Sequence, residues 1–578
     1  MERNSSFLRR EFNKALLPVM GSVLGGTINT LIDSAFVSRR LDASALASVS
    51  LNMPIFLMLC TVGSLYGAGA SVSATHALGR NAPEEASKIY HSGLFMALLS
   101  SAFFMFLGIA FSDKIATLLC HDPYLYPMVK DYCMVTLIGS LPYILIYFPV
   151  YFLQLAGIDM YISLTMGIMV ISDMILDWLF LYVLNWGVAG AALASVLSML
   201  LACAYGFYYL QDKRRGFNFE LKKLRPRMVH AIILFGSSSA LGSLQDAAKL
   251  LILNWILYRS GAAAALATWA VINSLIEVSL TITTGIPRTA TPLLGIYVGG
   301  QDNDGTRLLI REEARTGVML SLIFGLLIIL LNQPIALFFK LNRPLIFIPV
   351  VCLAVAIPFE TLISILGSYY NTSGHVLLSN FTMFLRTFAM PLGFALILPL
   401  FKLPIWLFMP VSMICTLATV YITAKIIIRK SKKTKLPLNS ILLLDDSLER
   451  NNKVMSFSII SSDEYICKAS EDISEFCIEN QMERKKATRM ALALEEVMTV
   501  MVRKSLRSQN APVDIRVYVL EKSMGLNIMC FGNYYNPFEE AAEDPDNEAN
   551  MGVQMINRIA KNCHYLYTLG FNILAVDL

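Results

Sequence analysis

Of the 578 residues, 56% are hydrophobic and only 15% are charged, whereas an average soluble domain carries about a quarter charged residues. The apolar residues come in runs long enough to cross a hydrocarbon core, which takes about 20 residues of helix. Composition thus excludes an ordinary water-soluble globule, and a formal net charge of +5 comes with no expectation of nucleic acid as a partner. Ten cysteines are scattered without a CxxC pair or a histidine-bearing cluster, so neither a zinc site nor a disulfide framework is signalled. No metal and no cofactor beyond a coupling ion is expected. The polar start MERNSSFLRREFNK leads into an apolar segment without a small-residue cleavage site, and no removable signal peptide is expected.

In chain order, apolar stretches of spanning length lie near residues 15–38, 46–74, 90–112, 128–155, 160–184, 187–210, 229–257, 263–287, 316–337, 345–368, 379–400 and 404–428. Basic residues crowd one set of connections: Arg9, Arg10 and Lys14 before the first span, Lys213 to Arg227 in the sixth connection, Arg307, Arg311 and Arg315 in the eighth, and Lys425 to Lys435 after the twelfth. Positive charge near helix ends is retained in the cytoplasm, so both termini are expected there, on a multi-pass protein of the cell (inner) membrane.

One constant offset pairs Arg39 with Arg259, Ala45-Leu46-Ala47 with Ala265-Leu266-Ala267, Thr61 with Thr281, and Gly79 with Gly299. The first six spans therefore repeat in the second six, an arrangement suited to two bundles facing a central cavity. The expected fold is an all-α polytopic membrane protein of twelve helices in two six-helix bundles, residues 1–220 and 221–435. A linker over 436–451 leads to a soluble α/β sandwich domain over 452–578.

An ionisable group inside a span is costly and usually marks an ion or substrate path. Asp33 lies in the first span. Asp173 and Asp177 lie on the fifth, four apart and so on one helical face, where two carboxylates can share a proton or hold a cation. The competing readings are an interfacial helix end for Asp33 and a structural hydrogen bond for Asp177. Asp246 and Lys249, three apart on the seventh span, suit mutual neutralisation, and Glu277, Glu360 and Arg386 are lone charges that could face a cavity.

The phrases IDSAFVSRRLDASALASVSL, GASVSATHALGRNAPEEASK, WGVAGAALASVLS and TPLLGIYVGGQDNDGTR, taken in order, resemble the multidrug and toxic compound extrusion (MATE) family over about residues 10–430. In one branch of that family a cation binds between an aspartate of the first helix, a polar pair on the fifth and a hydroxyl on the sixth. The resemblance implies these roles for Asp33, Asp173, Asp177 and Ser195, although Asp173 stands where asparagine is frequent and Ser195 where threonine is. It further implies export of an organic, often cationic or amphipathic, small molecule in exchange for protons or sodium. A lipid or lipid-precursor flippase, and a sensor signalling through the soluble tail, are the alternatives.

After Lys435 the acidic stretch LDDSLERNN opens a segment of ordinary soluble composition. KASEDISEFCIEN, ERKKATRMALALEEVMTVMVRKS and NMGVQMINRIAKN read as helices, VDIRVYVLE and GLNIMCF as strands, and HYLYTLGFNILAVDL as a hairpin. The tail resembles the histidine-kinase-like ATPase fold of anti-sigma-factor serine kinases. Glu496 stands at the activating glutamate, Val500 at the magnesium-holding asparagine, Cys530 and Gly532 at the adenine-gripping Asp-x-Gly, and Gly552 in the lid motif. Valine has no oxygen for magnesium and cysteine is a poor acceptor, so the tail is expected to be catalytically inactive. It would dock a protein partner, or its acidic loop EEAAEDPDNE would meet the basic run Lys425 to Lys435, for which lipid head groups compete.

Overall fold

The computed structural model describes residues 5–40, 43–80, 82–120, 122–156, 159–210, 225–338, 343–433, 438–445, 451, 453–506, 510–520, 524–543 and 550–578. The first half consists of α1 (Ser5–Arg40), α2 (Ala43–Gly79), α3 (Pro83–Leu119), α4 (Tyr126–Ile138), α5 (Ser140–Leu145), α6 (Tyr147–Leu155), α7 (Asp159–Asp177) and α8 (Gly187–Leu210). The second half consists of α9 (Pro226–Thr283), α10 (Gly285–Gly299), α11 (Asn303–Leu330), α12 (Asn332–Phe338), α13 (Arg343–Thr372), α14 (Val376–Phe384), α15 (Met390–Leu400) and α16 (Phe408–Lys433).

Among the described residues nine helices are long and apolar enough to span a membrane, or ten if the bent pair Tyr126–Ile138 and Ser140–Leu155 counts as one, against the twelve read from the sequence. The pair bends by 56° because Pro142 lacks an N–H and because Val196 presses on Gly139, where an added Cβ would meet its Cγ2 at 2.3 Å. The expected loop between the seventh and eighth spans is also absent: α9 runs unbroken through 258–262. Its alanine-rich run Gly261 to Ala267 favours helix. The helix breaks instead at Thr284, one turn ahead of Pro287.

Apolar side chains on the outer faces remain uncovered by protein, such as Leu99, Phe103, Phe106 and Ile109 on α3 and Leu322 and Leu326 on α11, as lipid-facing surfaces require. Inside, α2 packs on α9 through paired glycines. An added Cβ on Gly69 would meet the Ile232 carbonyl at 2.0 Å, and one on Gly236 the Leu65 carbonyl at 1.9 Å, so only small residues permit this approach. The repeat-related Gly79 and Gly299, at the ends of α2 and α10, face each other, each Cβ position lying 2.9–3.1 Å from the other's Cα. The two halves thus close against one another at these helix ends, where His76 Nε2 also bonds the Thr372 carbonyl.

The tail is a five-stranded antiparallel sheet of β3 (Val454–Ile460), β4 (Pro512–Val519), β5 (Met524–Phe531), β6 (Asn562–Thr568) and β7 (Phe571–Asp577), in the order β3-β4-β5-β7-β6. A short ribbon, β1 (Leu438–Asn439) and β2 (Leu444–Asp445), precedes it. Its helices are α17 (Asp463–Glu479), α18 (Arg484–Lys504), α19 (Pro537–Glu543) and α20 (Met551–Ile559). The three sequence-read helices, two strands and hairpin appear, while β3 and α19 were not read.

Alternation sends Val513, Ile515, Val517, Leu526, Ile528 and Leu574 into a core with α17 and α18. The opposite face carries Met529, Leu566, Phe571 and Ile573, which join the core of the membrane part. Both faces of the sheet are covered, one by its own helices and one by the bundle ends.

Candidate functional site

A cavity of about 440 Å³ opens within the first bundle, walled by Asn29 of α1, Phe56 of α2, Tyr147 of α6, Asp177 of α7 and Ser195 of α8, with Arg288 of α10 at its edge. Asp173 lies fully buried behind this wall. Its carboxylate accepts from Asn29 Nδ2 at 2.8 Å and from Ser198 Oγ at 3.0 Å, tying α1, α7 and α8 together. Asp177, one turn on, is also buried, and its Oδ2 meets no hydrogen-bond partner among the described residues. Directly after Asp177 the helix widens to a π turn over Trp178–Val183, a distortion frequent at functional sites.

The four residues carried over from the family are therefore not equivalent. Asp173 takes the structural hydrogen bonds that the sequence reading had considered for Asp177, and Asp177, which lines the cavity, keeps a buried oxygen without a partner among the described residues. Ser195 lines the cavity, but its hydroxyl donates to the Ala191 carbonyl at 3.4 Å, and the hydroxyl on the carboxylate belongs to Ser198. Asp33 falls on α1, with its side chain outside the described residues. The sequence reading missed Asn29 and Ser198. The available signal was spacing, since Asn29 precedes Asp33 by one turn and Ser198 follows Ser195 by three.

In the second half a cavity of about 300 Å³ is lined by α2 and α6 from one side and α9, α10, α13 and α14 from the other, with Arg288 and Arg386 on its wall. Arg386 sits in a second π turn, Leu385–Ala389, and its guanidinium faces Glu360 at 3.9 Å and the Ser364 hydroxyl. Glu360 and Arg386, read separately from sequence, are thus one ion pair. Asp246 and Lys249 pair at 2.8 Å, with Glu277 in electrostatic reach of both. Arg288 was not singled out in the sequence.

Residues 18–179 match the family model described as MatE. The chain is 23% identical over 281 residues to the multidrug export protein MepA of Staphylococcus haemolyticus, a match covering 48% of this chain and 62% of MepA. The match therefore spans less than two thirds of that relative's length. A structure of MATE in complex with MaL6 superimposes with a TM-score of 0.69 at 19% identity, covering 74% of this chain and 97% of the other. The outward-facing conformation of a multidrug resistance MATE family transporter does so with a TM-score of 0.68 at 20% identity, again covering 74% and 97%. The membrane part has the MATE fold.

Of the tail residues read as a degenerate nucleotide site, Glu496 and Gly552 lie in contact, while Gly532 packs elsewhere, on Ser505. Glu496 and Val500 lie on α18, and Gly552 opens α20 directly over Glu496, where an added Cβ would meet Oε2 at 1.7 Å. α20 thus begins directly on the Glu496 carboxylate. Cys530 is fully buried, pointing with Val500 into the core of the tail, where burial pushes its thiol up to about 12. Gly532 is packed against Ser505, whose Oγ an added Cβ would meet at 2.5 Å.

Cys467 on α17 is the exposed thiol of the tail. Cys563 is half-buried, and burial, with a smaller contribution from the Asp577 carboxylate, raises it to about 11. Because the thiolate is the nucleophile, a membrane-impermeant maleimide should read tail topology through Cys467. In a variant retaining only Cys467, intact cells should show no labelling and permeabilised cells full labelling; labelling in intact cells would overturn the cytoplasmic placement. In a variant retaining only Cys563, the rate should climb about tenfold per pH unit between pH 7 and 10.

Proposed function

We propose that this chain is a secondary active antiporter of the cell membrane, both termini cytoplasmic, that exports organic solutes in exchange for protons or sodium. Asp177 carries the reading: a buried carboxylate that lines a cavity inside one bundle of a MATE fold, one oxygen unpartnered among the described residues, is suited to take up an ion on one side and release it on the other. Asp173, Asn29 and Ser198 hold the helices that position it, Ser195 lines the same cavity, and Asp33 is proposed as a further ion ligand from the family resemblance alone.

In vesicles containing the purified chain, a labelled cationic dye should accumulate on one side only under an imposed proton or sodium gradient. The gradient that drives accumulation names the ion. Dye that stays put under both gradients, with lipid analogues crossing instead, would replace the exporter with the flippase.

The tail, in this proposal, is a regulatory domain that has lost nucleotide chemistry. The lid helix seated on Glu496 and the apolar surroundings of Val500 and Cys530 support the second half of the statement. Its docking geometry supports the first. Arg516 of β4 donates to the carbonyls of Gly300 at 2.6 Å and Gln301 at 2.7 Å, just past the end of α10. Thr568 Oγ1 and Leu569 N, in the β6–β7 turn, donate to the Leu155 carbonyl at 2.5 and 3.2 Å, at the end of α6. Tyr370 of α13 donates to the Ile441 carbonyl at 3.0 Å in the β1–β2 turn. The tail thus satisfies helix-terminal carbonyls in both bundles, groups that otherwise lack partners, through one strand of its sheet and the β6–β7 turn. The acidic loop expected to dock lies partly outside the described residues.

A further inference from the structure

We propose that Arg288 forms an acid-binding subsite where the two cavities meet, and that the exported solute is an aromatic amphiphile carrying a carboxylate or similar acidic group. The inference rests on the exporter reading and specifies its substrate.

Three observations carry it. First, Arg288 lines both cavities, and its Nε is buried without a hydrogen-bond partner among the described residues. The guanidinium instead lies over the Tyr151 ring, 4.7 Å from its centroid, a contact that stabilises a cation and leaves its in-plane donors for a ligand. Its backbone is fixed independently: the amide donates to Thr284 O at 3.1 Å and the carbonyl accepts from Gln154 Nε2 at 3.0 Å. The side chain is therefore placed rather than loose.

Second, the cavity beyond Arg288 is walled by hydroxyls and amides, among them Ser71, Gln154, Ser238, Thr291, Ser368 and Asn371, and no carboxylate is among its lining residues. The other cation there, Arg386, is already matched by Glu360, so among the described residues Arg288 is the cation that faces no carboxylate across this cavity. A guanidinium favours planar oxyanions through bidentate bonds.

Third, the cavity on the other side of Arg288 is lined by Phe56, Tyr143, Tyr147, Met166 and Met169, which suit an aromatic body. Asp177 on the same wall can accept a cationic group. A zwitterion with its acid on Arg288 and its rings in the first cavity satisfies every side.

The test compares rhodamine B with its ethyl ester, dyes that differ only in whether the carboxylate is free, by fluorescence polarisation on the detergent-solubilised full chain. The free acid should bind about tenfold tighter than the ester, the scale of one charge-assisted contact. Arg288→Gln should remove that preference, and an unchanged elution volume and thermal melting midpoint report that the variant is folded. Should Arg288→Gln fail to fold, Arg288→Lys serves, since a point charge without the planar fork should retain only part of the preference.

Equal binding of the two dyes by the natural chain, or a preference that survives Arg288→Gln, overturns the proposal. Dodecyl phosphate offers the same acid group on a lipid-like chain. It should displace rhodamine B only at concentrations well above the dye's own Kd, and displacement below that Kd would assign the subsite to a lipid head group and overturn the aromatic solute. Binding is read without an ion gradient, so a chain that discriminates the dyes yet fails to transport would count against the exporter reading and not against the subsite.

Discussion

Asp177→Asn is expected to abolish gradient-driven efflux while the protein still inserts and folds, whereas Asp173→Asn should destabilise the first bundle and leave coupling largely in place. The difference follows from what each carboxylate touches. An amide at 177 keeps the shape but can neither exchange a proton nor hold a cation. Losing such a direct charge contact costs about 3 kcal/mol or more, roughly two orders of magnitude in ion affinity. At 173 both oxygens accept hydrogen bonds, from Asn29 and Ser198. An asparagine there turns a donor toward one of these donors and costs about 1–3 kcal/mol, read as a lower melting temperature and lower yield. Efflux at the natural rate from Asp177→Asn would remove it from the mechanism. A loss of coupling in Asp173→Asn at unchanged stability would exchange the two roles.

Arg516→Ala is expected to undock the tail and raise the transport rate under a fixed gradient. Two hydrogen bonds from a charged donor contribute about 1.5–3 kcal/mol each, and a cation at a helix C-terminus adds roughly 0.3–1 kcal/mol. The contacts join α6 of one bundle to α10 of the other on the side where Gly79 meets Gly299. Alternating access requires that side to open. A domain that binds the closed arrangement shifts the equilibrium toward it by its differential affinity, so in the proposed antiporter the docked tail would act as a brake. Limited trypsin digestion should release the tail from the variant at lower protease concentrations than from the natural chain, and Arg516→Lys should fall between them. Added ATP and magnesium should change neither digestion nor transport. An undocked tail with an unaltered or lower transport rate would make it a scaffold rather than a brake.

Much of this was legible before any coordinates. Unbroken apolar runs of about 20 residues specify membrane helices because a helix pairs its own backbone within the segment, and the paired positions Gly79 and Gly299 turn out to touch. Spacing of four placed Asp173 and Asp177 on one face. What spacing could not state is which of them is satisfied, because that depends on Asn29 and Ser198 arriving from other helices. The alternation in β4 likewise announced a strand, while nothing in the sequence singled out Arg516, which the structure buries on the second face.

Composition and periodicity are local properties of the chain, and they determined the membrane class and the change of character after Lys435, where a segment of mixed helices and strands begins. Pairing between distant segments is a property of packing, and only the tertiary structure decided that Glu360 neutralises Arg386, that Arg288 stands between two cavities, and that the tail closes over both bundle ends. The physical reason is the same in each case. A charge is recognisable in sequence by its cost in a buried setting, but whether that cost is met depends on which atoms lie within about 3 Å of it.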